Sequence, residues 1–557
     1  MAYTLGLDFG TLSGRCVVVS CEDGSIAANV AMNYPHAVMS EYIPTSDKRL
    51  PADYALQVPA DYVKVLEYTI STAIKESGVD PCEIIGICVD FTTCTVFPID
   101  GNARPLCEYE EFEKDPHAYV KLWKHHAAEP YAERINKLLS VSDDDRIKDF
   151  GGKVSSEWLL PKLLQVYEEA PEIYKKADIF TEAGDWIVRL LTGVRTVGYM
   201  FAAYKGLYVD GKGYFDKAFL ESLSEGFGTV IEEKYNSPVT PQGVRVGGLT
   251  QEWAERLGLP SGIAVTTAIP DAHVAPPALA ITEPGAVSSI FGTSACFMTV
   301  NEEYHEVPGI CGVVRDGVLP GFYGYEAGLC CYGDLFAWFC DNCVPEEYTA
   351  EAKRRGIPVI GLLTEMAEKL KVGESGLIAL DWWNGNRNIL SDAKLSGLII
   401  GMTMNTKPHE IYRALIESTA FATKTIFDTL ESNGVKIERL HAGGGIAKKN
   451  PFAMQMLADV LGKEIRVSSA SQIPALAGAI YASVAAGKEC GGYDTLAEAA
   501  KHMAAPFEVI YLPDAKRQSE YLQLYNEYLT LHDFFGRGGN DVMKRLRTIS
   551  DAAKKNQ

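Results

Sequence analysis

The sequence predicts an α/β protein built as two similar halves. Three observations carry that expectation. The stretch Thr4–Val19, TLGLDFGTLSGRCVVV, reads as strand, tight turn, strand. Ala286–Val300, AVSSIFGTSACFMTV, repeats the form about half of the chain's 557 residues later. Between and after these hairpins, short apolar strands alternate with amphipathic helical stretches, the pattern of βαβ units.

Each hairpin carries Phe-Gly-Thr at its tip: Phe9-Gly10-Thr11 in the first, Phe291-Gly292-Thr293 in the second. Glycine lets the backbone turn sharply and approach a ligand closely. Thr11 and Ser13 offer hydroxyls and N–H groups to an anion, and Asp8, leaving the first strand, is placed to hold a hydrated cation. Two such turns suggest two domains that each present a phosphate-facing tip to a shared cleft.

Taken in order, Ala60–Gly78 carries Val63, Leu66, Ile70 and Ile74 at helical spacing and closes on Gly78. Glu83–Val89 is an apolar strand that runs into Asp90-Phe91-Thr92-Thr93-Cys94-Thr95, where open α/β sheets place ligand contacts. Residues 110–150 read as charged and helical, with Trp123–His126 on an amphipathic surface helix. Ser155–Ala170 and Gly184–Gly193 are further helices, and Lys205 follows in a stretch of small and aromatic residues. A strand at Ile263–Ala268 passes through Ile269-Pro270 to Asp271, which projects a carboxylate at a strand tip or caps the helix that follows.

In the second half, Gly328–Cys340 is helical, preceded by Glu326 on Tyr323-Gly324-Tyr325-Glu326. Leu377–Leu380 leads into Asp381-Trp382-Trp383-Asn384-Gly385-Asn386-Arg387, too aromatic and amide-rich for a plain linker. Pro408–Ser432 is a long helix with one apolar stripe, from Ile411 to Leu430. Arg439–Ala442 is a strand feeding Gly443-Gly444-Gly445, and Asn450-Pro451 starts the next helix. Three glycines between strand and capped helix clear space for a flat or anionic ligand. Pro474–Gly487, apolar nearly all round, is a buried helix, and from about Leu512 a charged helix gives way to a polar end that frays past Arg537.

Composition excludes several classes. A formal charge of −21 disfavours nucleic acid and anionic membrane as partners, and no apolar run is long enough to span a bilayer. The start, MAYTLGLDFG, has no leader-like pattern, and the 13 cysteines are scattered through apolar segments, so the expectation is a cytoplasmic protein with free thiols. The single C-x-x-C, Cys340 to Cys343, lacks the second pair that zinc would require.

The stretches LGLDFGT, GICVDFTTCT, HAYVKLWKHHAAEPYAERIN, SSEWLLPKLL, DAH, FGTSACFM, GYEAGLCCYGDLFAWF, ALDWWNGNR and HAGGGIAKKNPFAMQMLADVLG together resemble the FGGY family of carbohydrate kinases over nearly the whole length. The resemblance implies two actin-like (ribonuclease-H-like) α/β domains closing on a cleft for ATP and sugar. It sets a sugar-binding domain at 1–280, a nucleotide-binding domain at 281–537 and a polar tail at 538–557. It further implies ATP and Mg²⁺ as cofactors, a ketopentose as substrate, and a homodimer as a family-level expectation. The activity it implies is phosphorylation of L-ribulose to L-ribulose 5-phosphate in L-arabinose catabolism. Kinases for D-ribulose, ribitol or xylulose, and a non-catalytic sugar or nucleotide sensor, are the alternatives.

Position by position, Asp271 resembles the catalytic base. Asp8, Gly10, Thr11, Ser13 and Arg15 resemble the first phosphate loop, and Gly292, Thr293 and Ser294 the second. Gly443, Gly444, Gly445 and Asn450 resemble the nucleoside end of the ATP site. Thr93, Lys205 and Glu326 fall with Asp271 where the sugar is contacted, and Asp8 and Asp271 hold Mg²⁺ through water. Three departures stand out: Leu12 at an often polar place, Thr93 where Ala is expected, and Ile269-Pro270 in place of a small residue before Asp271.

Overall fold

The computed structural model describes residues 1–555. The chain forms two compact units. The first holds Met1–Thr282, Val314–Tyr323 and Gln472–Ala505; the second holds Glu283–Val313, Gly324–Ser471 and the chain from Pro506 onward.

The first unit is organised on a mixed sheet with the strand order Arg245–Gly248, Ala264–Thr266, Ile84–Phe91, Tyr3–Phe9, Ser13–Ser20, Ile26–Asn33. Tyr3–Phe9 pairs antiparallel with Ser13–Ser20 and parallel with Ile84–Phe91. Being central, it is covered on both faces, which is why Thr4, Gly6 and Asp8 on one face are buried along with Leu5, Leu7 and Phe9 on the other. One covering element is the helix Pro59–Ser77, which begins on a proline and ends on Gly78 at φ 66°. Its buried face runs through Tyr62, Val65, Leu66, Thr69, Ile70 and Ala73, so the expected face is turned by about one residue and leaves Val63 and Ile74 on its flank. Tyr62 draws the helix round: its ring packs at 5.0 Å from Phe91 and its hydroxyl donates to Gln57 at 2.6 Å.

On the sheet lies the helix Ile473–Ala486, as buried as its composition predicts, although it comes from the second half of the sequence. The approach is close enough that a Cβ on Gly6 would stand 1.7 Å from the Ala475 carbonyl oxygen, and one on Gly86 2.5 Å from that of Ala482. The Thr4 hydroxyl donates to the Ala479 carbonyl at 2.9 Å within the same contact.

The second unit repeats the local plan. Gly285–Phe291 pairs antiparallel with Ala295–Asn301 and parallel with Ile437–Gly443. The sheet then continues through Glu464–Ser468 to Phe507–Tyr511. The hairpin tips differ by one residue, since Phe9 pairs with Gly14 whereas Phe291 pairs with Ala295. The helix Pro408–Ser432 buries nearly its whole circumference from Tyr412 to Thr423, more than the single stripe expected. Its charge is matched internally, with Arg413 and Glu417 2.8 Å apart and both buried.

Several local expectations are corrected. Trp123–His126 form no helix; they are a turn in which His125 is buried and bonded to Gln165 at 3.0 Å, and the α-helix of that region is Glu129–Leu139, with short 3-10 turns at Pro116–Ala118 and Arg146–Phe150. Gly328–Leu329 end a strand, Tyr323–Leu329, whose aromatic and small residues alternate across the sheet, and the helix starts at Gly333. The polar end is a helix, Val542–Lys555, while residues 556 and 557 of that expected tail lie outside the described residues. Among the described residues no helix is long and apolar enough to cross a membrane.

The loop Asp381–Arg387 docks the long helix Ala515–Gly536. Tyr528 donates to the Asp381 carboxyl at 3.2 Å, and the buried Trp382 ring lies 5.5 Å from that of His532. Burial pushes the Asp381 carboxyl up to about 7. The folded state therefore holds a proton that the unfolded chain releases near pH 4, and the associated stabilisation falls as pH rises from about 4 to about 7, by up to about 1.4 kcal/mol per pH unit. Asp381→Asn keeps an acceptor for Tyr528 and removes this slope. Melting of both proteins across pH 5 to 8 is expected to show the variant gaining on the parent as pH rises; a constant difference would refute it.

Candidate active site

Three strands of the first unit end at one level. Asp8 lies directly opposite Asp90 in the parallel pair, and Ile269-Pro270 pairs with Asp90-Phe91 on the other side. The chain leaving Pro270 begins a short helix with Asp271, so three carboxyls gather at the carboxyl ends of the strands, where open α/β sheets bind ligands. Pro270 is the residue at the N-cap position and Asp271 the first helical residue; its Oδ1 accepts the Ala272 N–H at 2.8 Å.

Asp8 and Asp90 are buried. Burial pushes the Asp8 carboxyl up, and the Arg15 guanidinium, 3.6 Å away, partly offsets that. Asp90 is pushed well above the usual carboxylate range by burial first and by the carboxyls of Asp8 and Asp271 next. Neither oxygen of Asp90 meets a protein donor. Like-charged carboxyls in so dry a place call for a proton or a cation among them.

The tip of the first hairpin is fixed through its carbonyls. That of Gly10 accepts the Tyr34 hydroxyl at 2.9 Å, Thr11 the Gln57 amide at 2.8 Å, Leu12 the Tyr34 N–H at 3.0 Å and Ser13 the Gly10 N–H at 3.0 Å. Because C=O and the following N–H point opposite ways across a trans peptide, the N–H groups of Thr11 and Leu12 are turned away from these protein donors. Leu12, exposed on this tip, therefore contributes its backbone whatever its side chain. Arg15 is steadied by Gln472 at 2.9 Å and Ser13 at 3.3 Å.

The second hairpin obeys the same rule with different partners. The Gly292 carbonyl accepts the Gly333 N–H at 3.0 Å, Thr293 the N–H groups of Tyr332 at 2.9 Å and Asp334 at 3.3 Å, and Ser294 the Gly292 N–H at 3.0 Å. The helix Gly333–Asn342 thus starts on the hairpin's carbonyls, and the tip's N–H groups are left facing away from it. Beside it, Gly443 pairs with Ile290, and Gly444 at φ 91° runs so close to Phe291 that a Cβ would stand 2.5 Å from its carbonyl oxygen. A Cβ on Gly445 would meet nothing within 4 Å, which leaves a bare backbone cradle at the N-terminus of Gly445–Lys449. Asn450 caps the helix Pro451–Leu461, its Oδ1 accepting the Ala453 N–H at 3.1 Å.

Of the expected sugar contacts, Thr93 is half-buried on the loop after Ile84–Phe91, next to Cys94 at φ 56°. Lys205 ends a single π-helical turn, Phe201–Lys205, and is buried rather than a solvated surface charge. Its ammonium lies 5.6 Å from the Trp158 ring centroid, and its charge is felt at Cys94. Glu326 is buried in the middle of the strand Tyr323–Leu329, in the second unit. The residues expected from sequence therefore fall into two groups. One gathers Asp8, Thr11, Ser13, Arg15 and Asp271 in the first unit, with Thr93 and Lys205 on loops of that unit; the other brings the second hairpin against the triple glycine.

Sequence reasoning alone places Asp90 in a run of expected ligand contacts without giving it a role, and leaves Tyr34, Gln57 and Trp123 out of the site. Trp123 donates its indole N–H to the Thr11 hydroxyl oxygen at 3.1 Å. Only Asp90 carries a local signal, an aspartate ending an apolar strand; the others reach the hairpin from positions remote in sequence, Gln57 from the short strand Leu56–Gln57. All 13 cysteines are free. Among the described residues no group of three His, Cys, Asp or Glu side chains is arranged to hold a metal ion directly, Cys340 and Cys343 included.

Comparison with known proteins identifies the family. The model of the N-terminal domain of the FGGY family of carbohydrate kinases matches residues 3–276, and that of its C-terminal domain matches residues 287–486. The chain is 48% identical over 540 residues to the ribulokinase of Bacillus licheniformis, covering 97% of this chain and 98% of that protein. It is 43% identical over 556 residues to the ribulokinase of Mycolicibacterium smegmatis, covering 100% and 98%. Among solved structures, a gluconate kinase from Lactobacillus acidophilus superposes with a TM-score of 0.78 at 17% identity, covering 96% of this chain and 99% of that one. A xylulose kinase from Rhodospirillum rubrum superposes with a TM-score of 0.76 at 19% identity, covering 95% and 98%. Paired phosphate-type hairpins, each beside a parallel strand, and family models matched along both halves lead to one conclusion: the chain belongs to the FGGY family of carbohydrate kinases.

Proposed function

We propose that this enzyme transfers the γ-phosphoryl group of ATP to the 5-hydroxyl of L-ribulose, giving L-ribulose 5-phosphate and ADP, a step in the use of L-arabinose. The observation that carries the choice of sugar is the 48% identity, over nearly the whole of both chains, to a ribulokinase. Asp271 is the general base: its carboxylate takes the hydroxyl proton as O5 attacks the γ-phosphorus, and the bond to the β,γ-bridging oxygen breaks. The outward N–H groups of both hairpin tips bind phosphate oxygens without a lysine cluster, in keeping with a net charge of −21. Gly443, Gly444, Gly445 and Asn450 form the nucleoside end. Thr93, Lys205 and Glu326 orient the ketose.

Bound Mg²⁺ neutralises the charge spreading over the phosphates. The residues present fit a hydrated cation: Asp8 and Asp271 would hold it through water, and its charge would offset the mutual repulsion of the Asp8, Asp90 and Asp271 carboxyls. A homodimer in the cytoplasm is the setting we propose for this chemistry.

ADP release with MgATP and a panel of L-ribulose, D-ribulose, L-xylulose, D-xylulose, ribitol and glycerol tests the substrate. Highest kcat/KM on L-ribulose is expected. A better ketose or pentitol would reassign the acceptor, and no turnover on any member despite ATP binding would favour a sensor. Asp271→Asn is expected to bind ATP and sugar while losing about 10²–10⁴-fold in kcat, the range of a positioned base. Near-parental turnover would remove Asp271 from that role. Gly445→Val, whose side chain enters open space, is expected to fold normally and to weaken ATP binding by about tenfold or more, leaving the KM for sugar in place; calorimetric titration with ATP reads this directly.

A further inference from the structure

Lys162 lies on the helix Leu159–Glu169 and is buried. Its ammonium donates to two carbonyls, that of Cys94 at 2.5 Å and that of Leu122 at 2.7 Å. Cys94 follows Thr93 and sits at φ 56°, a conformation costly for a non-glycine residue unless the surroundings enforce it. Leu122 precedes Trp123, whose indole N–H is bonded to the Thr11 hydroxyl. One ammonium thus fixes the backbone beside the expected sugar contact and, through the Leu122–Trp123 segment, the tip of the first hairpin.

We propose that Lys162 is a positioning residue that locks the Thr92–Thr95 loop and the first phosphate hairpin into one arrangement, so that the ketose side and the phosphate side of the first unit are set together. This rests on the proposed function, in which Thr93 and Thr11 face substrate. A buried ammonium is a costly way to hold two loops, and an apolar side chain would strand two buried acceptors. Burial lowers the pKa of the Lys162 ammonium and Glu182 acts against that shift; Glu182 also holds the same loop, since its Oε2 accepts the Thr95 N–H at 2.9 Å. The Trp123 N–H, by filling a lone pair of the Thr11 oxygen, obliges the hydroxyl proton to point elsewhere, which makes Thr11 a directed donor. Gln57 holds the carbonyl of the same residue. None of these groups need touch a reacting atom.

Hydrogen exchange on the ligand-free enzyme tests the coupling. In Lys162→Met the bonded amides of Gly10, Thr92 and Thr95 are expected to exchange faster together, by about tenfold or more; in Trp123→Phe only that of Gly10 should do so. Well below its melting temperature, Lys162→Met should lose about tenfold or more in kcat/KM for both ketose and ATP, and Trp123→Phe should lose on the ATP side with the ketose KM unchanged. A lowered melting temperature with parental exchange and parental kinetic constants would reduce Lys162 to a structural staple and overturn the proposal. If Lys162→Met does not fold, the cycle of Trp123→Phe with Thr11→Val decides: non-additive losses support the link, and additive losses overturn it. If the parent enzyme turns over no sugar, the substrate assignment fails while the exchange data still decide whether the two loops are coupled.

Discussion

Asp8 faces Asp90, and Asp90 faces Ile269, because three strands run parallel and stop at the same level. Everything chemical in the first unit hangs on that register. A slip of one residue would turn Asp8 to the other face of the sheet, and Leu7 or Phe9, both buried, would take its place. The apolar neighbours on either side of Asp8 therefore do more than fill the core: their burial makes the slip prohibitive and holds a costly carboxyl where it would not otherwise stay. The hairpin then carries the chain back at once, so its tip emerges at the same edge as the carboxyls.

That register also needs the sheet face that carries Asp8 and Asp90 to be sealed beneath them, and the seal comes from far along the chain. Gly6 and Gly86 lie on adjacent strands, and their missing side chains let the alanine-rich helix Ile473–Ala486 press its backbone onto them. The contact removes water from the strand centre two residues before Asp8. It also explains why the two sequence halves do not coincide with the two units: Gln472–Ala505 belongs to the first although it follows most of the second. Gln472, at the start of that segment, is the residue that steadies Arg15.

What can be read in the sequence is what local chemistry settles. The two hairpins are legible because alternation, glycine and the Phe-Gly-Thr tip lie within a few residues of one another. The helix Pro408–Ser432 is legible from its proline start and its length. The buried face of Pro59–Ser77 is not, because Tyr62 chooses its side through Gln57 and Phe91, neither of them on the helix. Trp123 looks like a surface residue because a lone tryptophan among lysine and histidine suits an amphipathic helix; its partner, Thr11, is remote in sequence. The start of Gly333–Asn342 is hidden for the same reason, since the carbonyls that accept its first N–H groups belong to the second hairpin. Register, capping and orientation are decided between distant residues, and a single sequence does not display them.

The same distinction resolves the apparent conflict between an acidic protein and a phosphorylated substrate. A lysine cluster would attract phosphate from a distance, at the cost of holding like charges close together. Peptide N–H groups act only at contact, and their value depends on being held in place beforehand. Here the holding is visible: every tip carbonyl of both hairpins already has a donor, from Tyr34 and Gln57 in one and from Tyr332, Gly333 and Asp334 in the other. Turning one of those peptides to spoil the outward donor would break a bond on its other side. On the proposed reading the protein needs no net positive charge to grip phosphates; it needs carbonyls that cannot turn round, and the residues that prevent them from turning are as much a part of that proposed site as those that face the ligand.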